Sequence, residues 1–388
     1  MSELEEMARR GKFTDTHLVW QFRDDQWQWV EAGSVDEFVR LFSSLERAAV
    51  HEARAESAEI RLGIRTGMRR PTTIIAFGGG KGGSGKTSLT AGLGLCLAAM
   101  GKSVILVDGD LGGANLNTAL GAPEAKRTST DFFIRRDAAV EDLVAPTRFK
   151  NLRFIGGQGG VLGLANPKYS QKLKFINQLK KLDAEFILLD LGAGTTYDTL
   201  DFFLSSDRGV LVTTPDPLSL NKAYGFLKTA VYRNIARLGA GDSVVYRHLE
   251  QMAARSFRPT IGQFLSELKA ESPESCAAIR KQLHEFPVGL ILNMVMHQHE
   301  VADAHKLIGD ISRNIGTAVE FLGSVAFDAS VRLSIRRQIP FVVDRPNSTA
   351  SQDVLKIALE KLLPQKNVLI RSMRREGLHR LKKLRAGK

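Results

Sequence analysis

From Thr72 onward, short apolar runs alternate with stretches of helical periodicity. That rhythm builds a doubly wound α/β fold, a mostly parallel sheet with helices on both faces. The runs expected to form strands are Thr72 to Phe77, Ser103 to Val107, Leu152 to Ile155, Phe186 to Leu189, Gly209 to Thr213, Val288 to Leu292 and Leu322 to Val325. Helices are expected between them from near Lys86, Tyr169 and Leu218, and after the last strand from near Ser351. Residues 239–286 break the alternation: Ile261 to Leu268 and Cys276 to Leu283 have helical spacing with no apolar strand between them, so this segment reads as a helical insertion.

Residues 1–70 follow another pattern. Leu18, Trp20 and Phe22, then Asp24-Asp25, then Trp27 and Trp29 alternate with the two-residue period of a hairpin. Ser34 and Glu37 have capping-box spacing ahead of Val35, Phe38, Phe42 and Leu45, which recur at helical intervals. A charged helix and the link Thr66 to Pro71 lead into the main body. The expected organisation is an accessory hairpin-helix module over 1–70, a main domain over 71–364 carrying the insertion, and a tail over 365–388.

Composition narrows the class. Only two cysteines occur among 388 residues, Cys96 and Cys276, without CxxC spacing. Neither a thiolate metal site, an iron–sulfur cluster nor a disulfide framework is indicated, and the expected setting is the reducing cytoplasm. No apolar run approaches the roughly 20 residues that span a bilayer. Net charge is +12, and ten Lys or Arg against the single acid Glu376 fall between Lys361 and Lys388, so the preceding 360 residues carry only +3. The charge is a local device in the tail.

Immediately after the first strand comes GGGKGGSGKTS, in which Gly80, Gly85, Lys86 and Thr87 satisfy P-loop spacing. Backbone N–H groups of such a loop converge on phosphate oxygens, and glycines let it approach closely. Lys86 is placed to neutralise the β- and γ-phosphates and the Thr87 hydroxyl to coordinate Mg²⁺. Two further strand ends carry carboxylates, Asp108 with Asp110, and Asp190 in FILLDLGAG. Beside a phosphate these suit a cation or an attacking water.

A second lysine in the loop, Lys81, changes the comparison. Lys81 to Thr87 reads KGGxGK[ST] and resembles the deviant Walker A motif of the MinD/ParA ATPases. The resemblance implies ATP and Mg²⁺ as ligands, with Gly80, Gly82, Gly83, Ser84, Gly85, Lys86, Thr87 and Ser88 around the phosphates. It also implies a homodimer sandwiching the nucleotide, with Lys81 reaching the partner's phosphates. Asp108 and Asp110 match the Walker A′ aspartates, Asp110 orienting the hydrolytic water, and Asp190 matches Walker B. Thr87, Asp108 and Asp190 are then the metal-side residues, and Lys81, Lys86 and Asp110 the catalytic ones. LRFIGGQGGVLGLAN, LDLGAGTTYDTLDFFLSSD and VLVTTPDPLSLNKAYGFLK are similar to the FlhG/FleN branch. By the same resemblance Asn293 matches an adenine-contacting position and Asp328 lies in a loop that in relatives lines the base, although Ala326 replaces a usual proline. The branch's N-terminal activating motif has only a weak counterpart at Glu56 to Arg61.

In the tail, Ile370, Met373, Leu381 and Leu384 share a helical face opposite Arg371, Arg375, His379, Lys382 and Lys383. A basic amphipathic helix of this kind suits an anionic membrane interface. The resulting expectation is an ATPase on the cytoplasmic face of the inner membrane, positioning a structure such as the flagellum or division site, with an unidentified protein partner on 1–70. The alternatives are a DNA-bound partitioning ATPase and an ATP-gated scaffold with negligible turnover. A tyrosine-kinase reading fails because the last tyrosine is Tyr246, far from the tail.

Overall fold

All seven expected strands form, with ends shifted by up to three residues. In a computed structural model, which describes residues 2–9, 13, 18–23, 26–32, 35–65, 71–111, 113, 115–134, 138–157, 167–239, 242–254, 260–363 and 370–385, two compact units are resolved. One comprises Met1–Arg69 with Lys168–Asn177, the other Arg70–Pro167 with Gln178–Lys388.

In the first unit, β1 (Leu18–Arg23) and β2 (Gln26–Glu31) pair antiparallel with Trp20 opposite Trp29 and Phe22 opposite Trp27, as the alternation predicts. Asp24, Asp25, Ser34 and the link over 66–70 lie outside the described residues. A short helix, Ser2–Arg9, precedes the hairpin, and a continuous helix, Asp36–Arg65, follows it. Phe13, Ala32 and Phe42 form a small buried cluster flanked by Leu4 and Ala8. The long helix is tied to residues 168–177 by polar contacts: Glu46 accepts from the N–H and hydroxyl of Ser170, both at 3.0 Å, and Asn177 donates to the Ala53 carbonyl at 2.8 Å.

The second unit holds an eight-stranded sheet of β3 (Thr73–Gly78), β4 (Val104–Asp108), β5 (Ala145–Pro146), β6 (Leu152–Ile155), β7 (Phe186–Asp190), β8 (Arg208–Thr213), β9 (Val288–Val295) and β10 (Val319–Ala326), ordered β10-β9-β8-β3-β7-β4-β6-β5. Every neighbouring pair is parallel except β5 with β6. β4 and β7 are buried along their whole length, as continuous Val, Ile and Leu runs require when both faces are covered. Each such side chain contributes roughly 1.5–3 kcal/mol on burial.

The Lys86–Ala99 helix is also buried nearly throughout and centres the main core, alongside Phe341, Val354 and Leu355. The expected insertion contains three helices, Ser243–Ala254, Ile261–Glu271 and Pro273–Glu285. Helices not anticipated include Tyr197–Ser205, Val301–Ile315 and Ala329–Arg336. The first of these is pinned by fully buried Asp201, which accepts both Nε and a terminal nitrogen of Arg233 on the Pro217–Leu238 helix at 2.9 and 3.0 Å.

The tail forms the helix Ile370–Arg385, with side chains described from Glu376 onward. Leu381 is completely buried in the main core, with Leu378 and Leu384 packed against it, and Arg380 donates to the Ala99 carbonyl at 2.9 Å. Thus the described part of the apolar face that suggested a bilayer is seated on the body, while Lys382, Lys383 and Arg385 remain exposed. Among the described residues no helix is long and apolar enough to cross a membrane.

Candidate functional site

Strands β4, β7 and β3 are neighbours, so the loops at their C-terminal ends meet where the chain's winding direction changes, the crevice in which open α/β sheets bind ligands. The P-loop leaves β3 at Gly78 and enters the Lys86–Ala99 helix through Gly85, which stands at φ +85° where a side chain would be strained. At Gly80 a Cβ would meet the Lys222 carbonyl oxygen at 2.3 Å, so the loop lies directly on the backbone of the Pro217–Leu238 helix. The loop is further tied to the segment after β7 by the Gly194 N–H, which donates to the Gly79 carbonyl at 3.3 Å.

The predicted phosphate and metal residues converge. Parallel register sets Asp108 beside Asp190. Both are buried, and burial pushes the Asp108 carboxyl up to about 6 and the Asp190 carboxyl up to about 7, each carboxylate further disfavoured by a neighbouring one. Lys86 is buried as well, and burial lowers its pKa against the attraction of Asp190 and Asp110.

The carboxylates differ in their commitments. Asp108 accepts the N–H groups of Asp110, Asn115 and Leu116 at 3.1, 3.0 and 3.0 Å, so it organises the loop that carries Asp110. Asp110 accepts the Gly113 N–H at 2.9 Å and lies against Gly192, where an added Cβ would come within 2.9 Å of its oxygen. Asp190 accepts the Thr87 hydroxyl, while its buried Oδ1 has no hydrogen-bond partner. Ser84 Oγ is likewise buried without a partner in the loop. An unpaired carboxylate oxygen beside a hydroxyl suits a hard divalent cation, and an unpaired hydroxyl among glycine N–H groups suits a phosphate oxygen. The residues therefore fit Mg²⁺ and a nucleotide phosphate.

Next to the loop lies a cavity of about 590 Å³ lined by Lys86, Thr87, Asn293, Phe327, Asp328 and Arg332 among others. Asn293 stands near the end of β9 and donates to the Ser84 carbonyl at 2.8 Å. The next residue, Met294, has φ +60° and is skipped in the β9–β10 register, a bulge that interrupts the pairing beside the cavity before Val295 pairs with Ala326. Asp328 caps the Ala329–Arg336 helix. Partial burial pushes its carboxyl up, but hydrogen bonds from the Ser330 hydroxyl and N–H outweigh this and hold it below the usual range.

Sequence patterning did not anticipate Met294, Phe327 or Arg332 at this cavity, since none belongs to a charge or glycine motif. It also missed the partner of Lys81. That ammonium contacts both oxygens of Asp216 at 3.1 Å, while the Lys86 ammonium donates to the Lys81 carbonyl at 3.3 Å. Asp216 was legible only as the cap of an Asp-Pro helix start.

A family model for the CobQ/CobB/MinD/ParA nucleotide-binding domain matches residues 75–376. The chain belongs to this family. The antiactivator FleN of Pseudomonas aeruginosa is 29% identical over 164 residues, 42% of this chain and 58% of FleN. The flagellum site-determining protein YlxH of Helicobacter pylori is 30% identical over 168 residues, 40% of this chain and 53% of YlxH. The matches to the curated relatives therefore span about half of their length. Among solved structures, the septum site-determining protein MinD of Pyrococcus horikoshii, complexed with Mg-ADP, superposes with a TM-score of 0.53 at 25% identity, covering 75% of this chain and 97% of that one. The deviant-Walker expectation and the P-loop α/β fold both hold for this member of the family.

Proposed function

We propose that this protein is an ATP-dependent, dimerising ATPase that hydrolyses ATP to ADP and phosphate and uses the cycle to position or regulate a cellular structure such as the flagellum or the division site. One observation carries the reading. A P-loop with two lysines faces a buried Asp108/Asp190 pair and a loop-borne Asp110, all on three adjacent strand ends. Lys86 compensates phosphate charge, Thr87 and Asp190 hold Mg²⁺ with Asp108 beside them, and Asp110 orients water. When bound there, Mg²⁺ would neutralise negative charge on the nucleotide's phosphates. Lys81 acts on the nucleotide of the partner copy. The base occupies the cavity beside Asn293 and Asp328. Turnover by the full chain with and without Mg²⁺, against Asp110→Ala, tests this; equal rates would remove the catalytic assignment.

The reading extends to a reversible attachment of residues 365–388 to the anionic cytoplasmic face of the inner membrane, with residues 1–70 engaging a protein partner. Because Leu381 is buried on the body, attachment through the apolar face requires the tail to undock. A second reading, attachment to DNA, is favoured by one observation: the docked tail already exposes Lys382, Lys383 and Arg385. Cosedimentation with anionic liposomes or with plasmid, each with ATP, separates the two.

A further inference from the structure

Lys81 and Asp216 are 135 residues apart in sequence, and the fold brings the ammonium to 3.1 Å from both carboxylate oxygens. This contact belongs to a built arrangement. Asp216 Oδ1 also accepts the Ser219 N–H at 2.9 Å as the cap of the Pro217–Leu238 helix, and Oδ2 accepts the Thr214 hydroxyl. The carboxylate is therefore held from three directions. On the other side, Gly80 packs so closely on the Lys222 carbonyl that the loop carrying Lys81 follows the first turns of the same helix. Helix and loop are packed against each other, and the lysine is tied back onto the helix start.

A lysine that must reach a phosphate on another copy cannot keep a two-point contact with a carboxylate of its own chain. We propose that Asp216 is a positioning residue that holds Lys81 in the free monomer, so that dimerisation must exchange one anionic partner, the carboxylate, for another, the phosphate of the nucleotide bound to a second copy. The proposal rests on the assignment of Lys81 as the lysine acting across the dimer. Asp216 lowers the affinity between copies because its contact with Lys81 must be given up when the dimer forms. The pair is half-exposed, so each is worth little by itself. Two pairs break per dimer, and the effect multiplies: about threefold per lysine becomes about tenfold in the dimer dissociation constant.

The experiment measures dimer formation by light scattering across protein concentrations, with the full chain, Mg²⁺ and a non-hydrolysable ATP analogue. Asp216→Asn keeps a good helix cap and removes the charge. Its dimerisation midpoint should fall about tenfold, while analogue affinity at monomeric dilution stays within about twofold. Asp216→Glu should restore the wild-type midpoint, a rescue that a purely structural cap would not produce. In the Lys81→Ala background, Asp216→Asn should give no gain. The proposal is overturned if Asp216→Asn dimerises no more readily than wild type, or if its gain persists without Lys81. A Lys81→Ala protein that dimerises like wild type would instead remove the underlying assignment of Lys81, and the role of Asp216 with it.

Discussion

Replacing Asp190 by Asn should make the empty protein more stable and its ATPase inactive. Asp190 titrates near 7 in the fold against an ordinary 3.8 because burial, then the Asp108 carboxylate, disfavour its charge. A folded carboxyl with a raised pKa binds its proton more tightly than the unfolded chain does, so stability is greatest below the unfolded value and is lost as pH rises toward the folded one. The loss accumulates between about pH 4 and 7 and is complete above that. The gap between 3.8 and about 7 corresponds to about 4 kcal/mol at pH 8 and to about a third of that at pH 5. Asn keeps the volume and the Thr87 partner without a charge to desolvate, and it forgoes the attraction to Lys86, so a gain of about 2–3 kcal/mol is expected. For a unit of this size that is about 5–10 °C in melting temperature at pH 8 and much less at pH 5. Thermal melts at both pH values without nucleotide, followed by Mg²⁺-dependent turnover, make the check. A variant that melts below wild type at pH 8, or a shift equal at both pH values, would refute the argument.

Asp110→Ala should trap an ATP-bound dimer, because phosphate and metal contacts survive while the attacking water loses its orienting group; a variant that sizes as a monomer with ATP or hydrolyses at the wild-type rate contradicts this. Lys86→Ala should lose nucleotide affinity by at least tenfold in equilibrium dialysis, since phosphate charge is left uncompensated, and undiminished binding would dismiss the P-loop assignment. Leu381→Glu places a charge in a fully buried position and should undock the tail, seen as rapid limited proteolysis near residue 370, with a cost of about 3 kcal/mol or more to the docked state. The same variant should lose attachment to anionic liposomes, since a membrane helix needs its apolar face, whereas DNA binding would persist and fall steeply with salt. Gly80→Ala should abolish nucleotide binding, because its Cβ would overlap the Lys222 carbonyl oxygen; wild-type affinity in that variant would mean that the loop is free to move off the helix.

Local pattern alone was enough for the strands, the P-loop and the strand-end aspartates. These signals are short-range: a buried parallel strand is a run of Val, Ile and Leu, and a phosphate loop needs its glycines and lysine within eight residues. The limits of that legibility are equally physical. β5 has only two residues, one of them a proline, and carries no period to detect. β10 begins three residues before the apolar run suggests because exposed Glu320 interrupts it. The Tyr197–Ser205 helix is apolar on several sides, so helical periodicity is blurred there. What the sequence determined by itself was the chemistry available: which lysines, carboxylates and hydroxyls stand at which strand ends. Tertiary structure alone decided their state. Register set Asp108 against Asp190 and burial raised both pKa values; a bulge at Met294 interrupted the pairing beside the cavity. Packing seated Leu378, Leu381 and Leu384 of the tail on the body, and a turn 135 residues away supplied Asp216 to Lys81. Such pairings depend on distances that only a folded chain defines, because residues remote in sequence have no preferred separation until the sheet between them has formed.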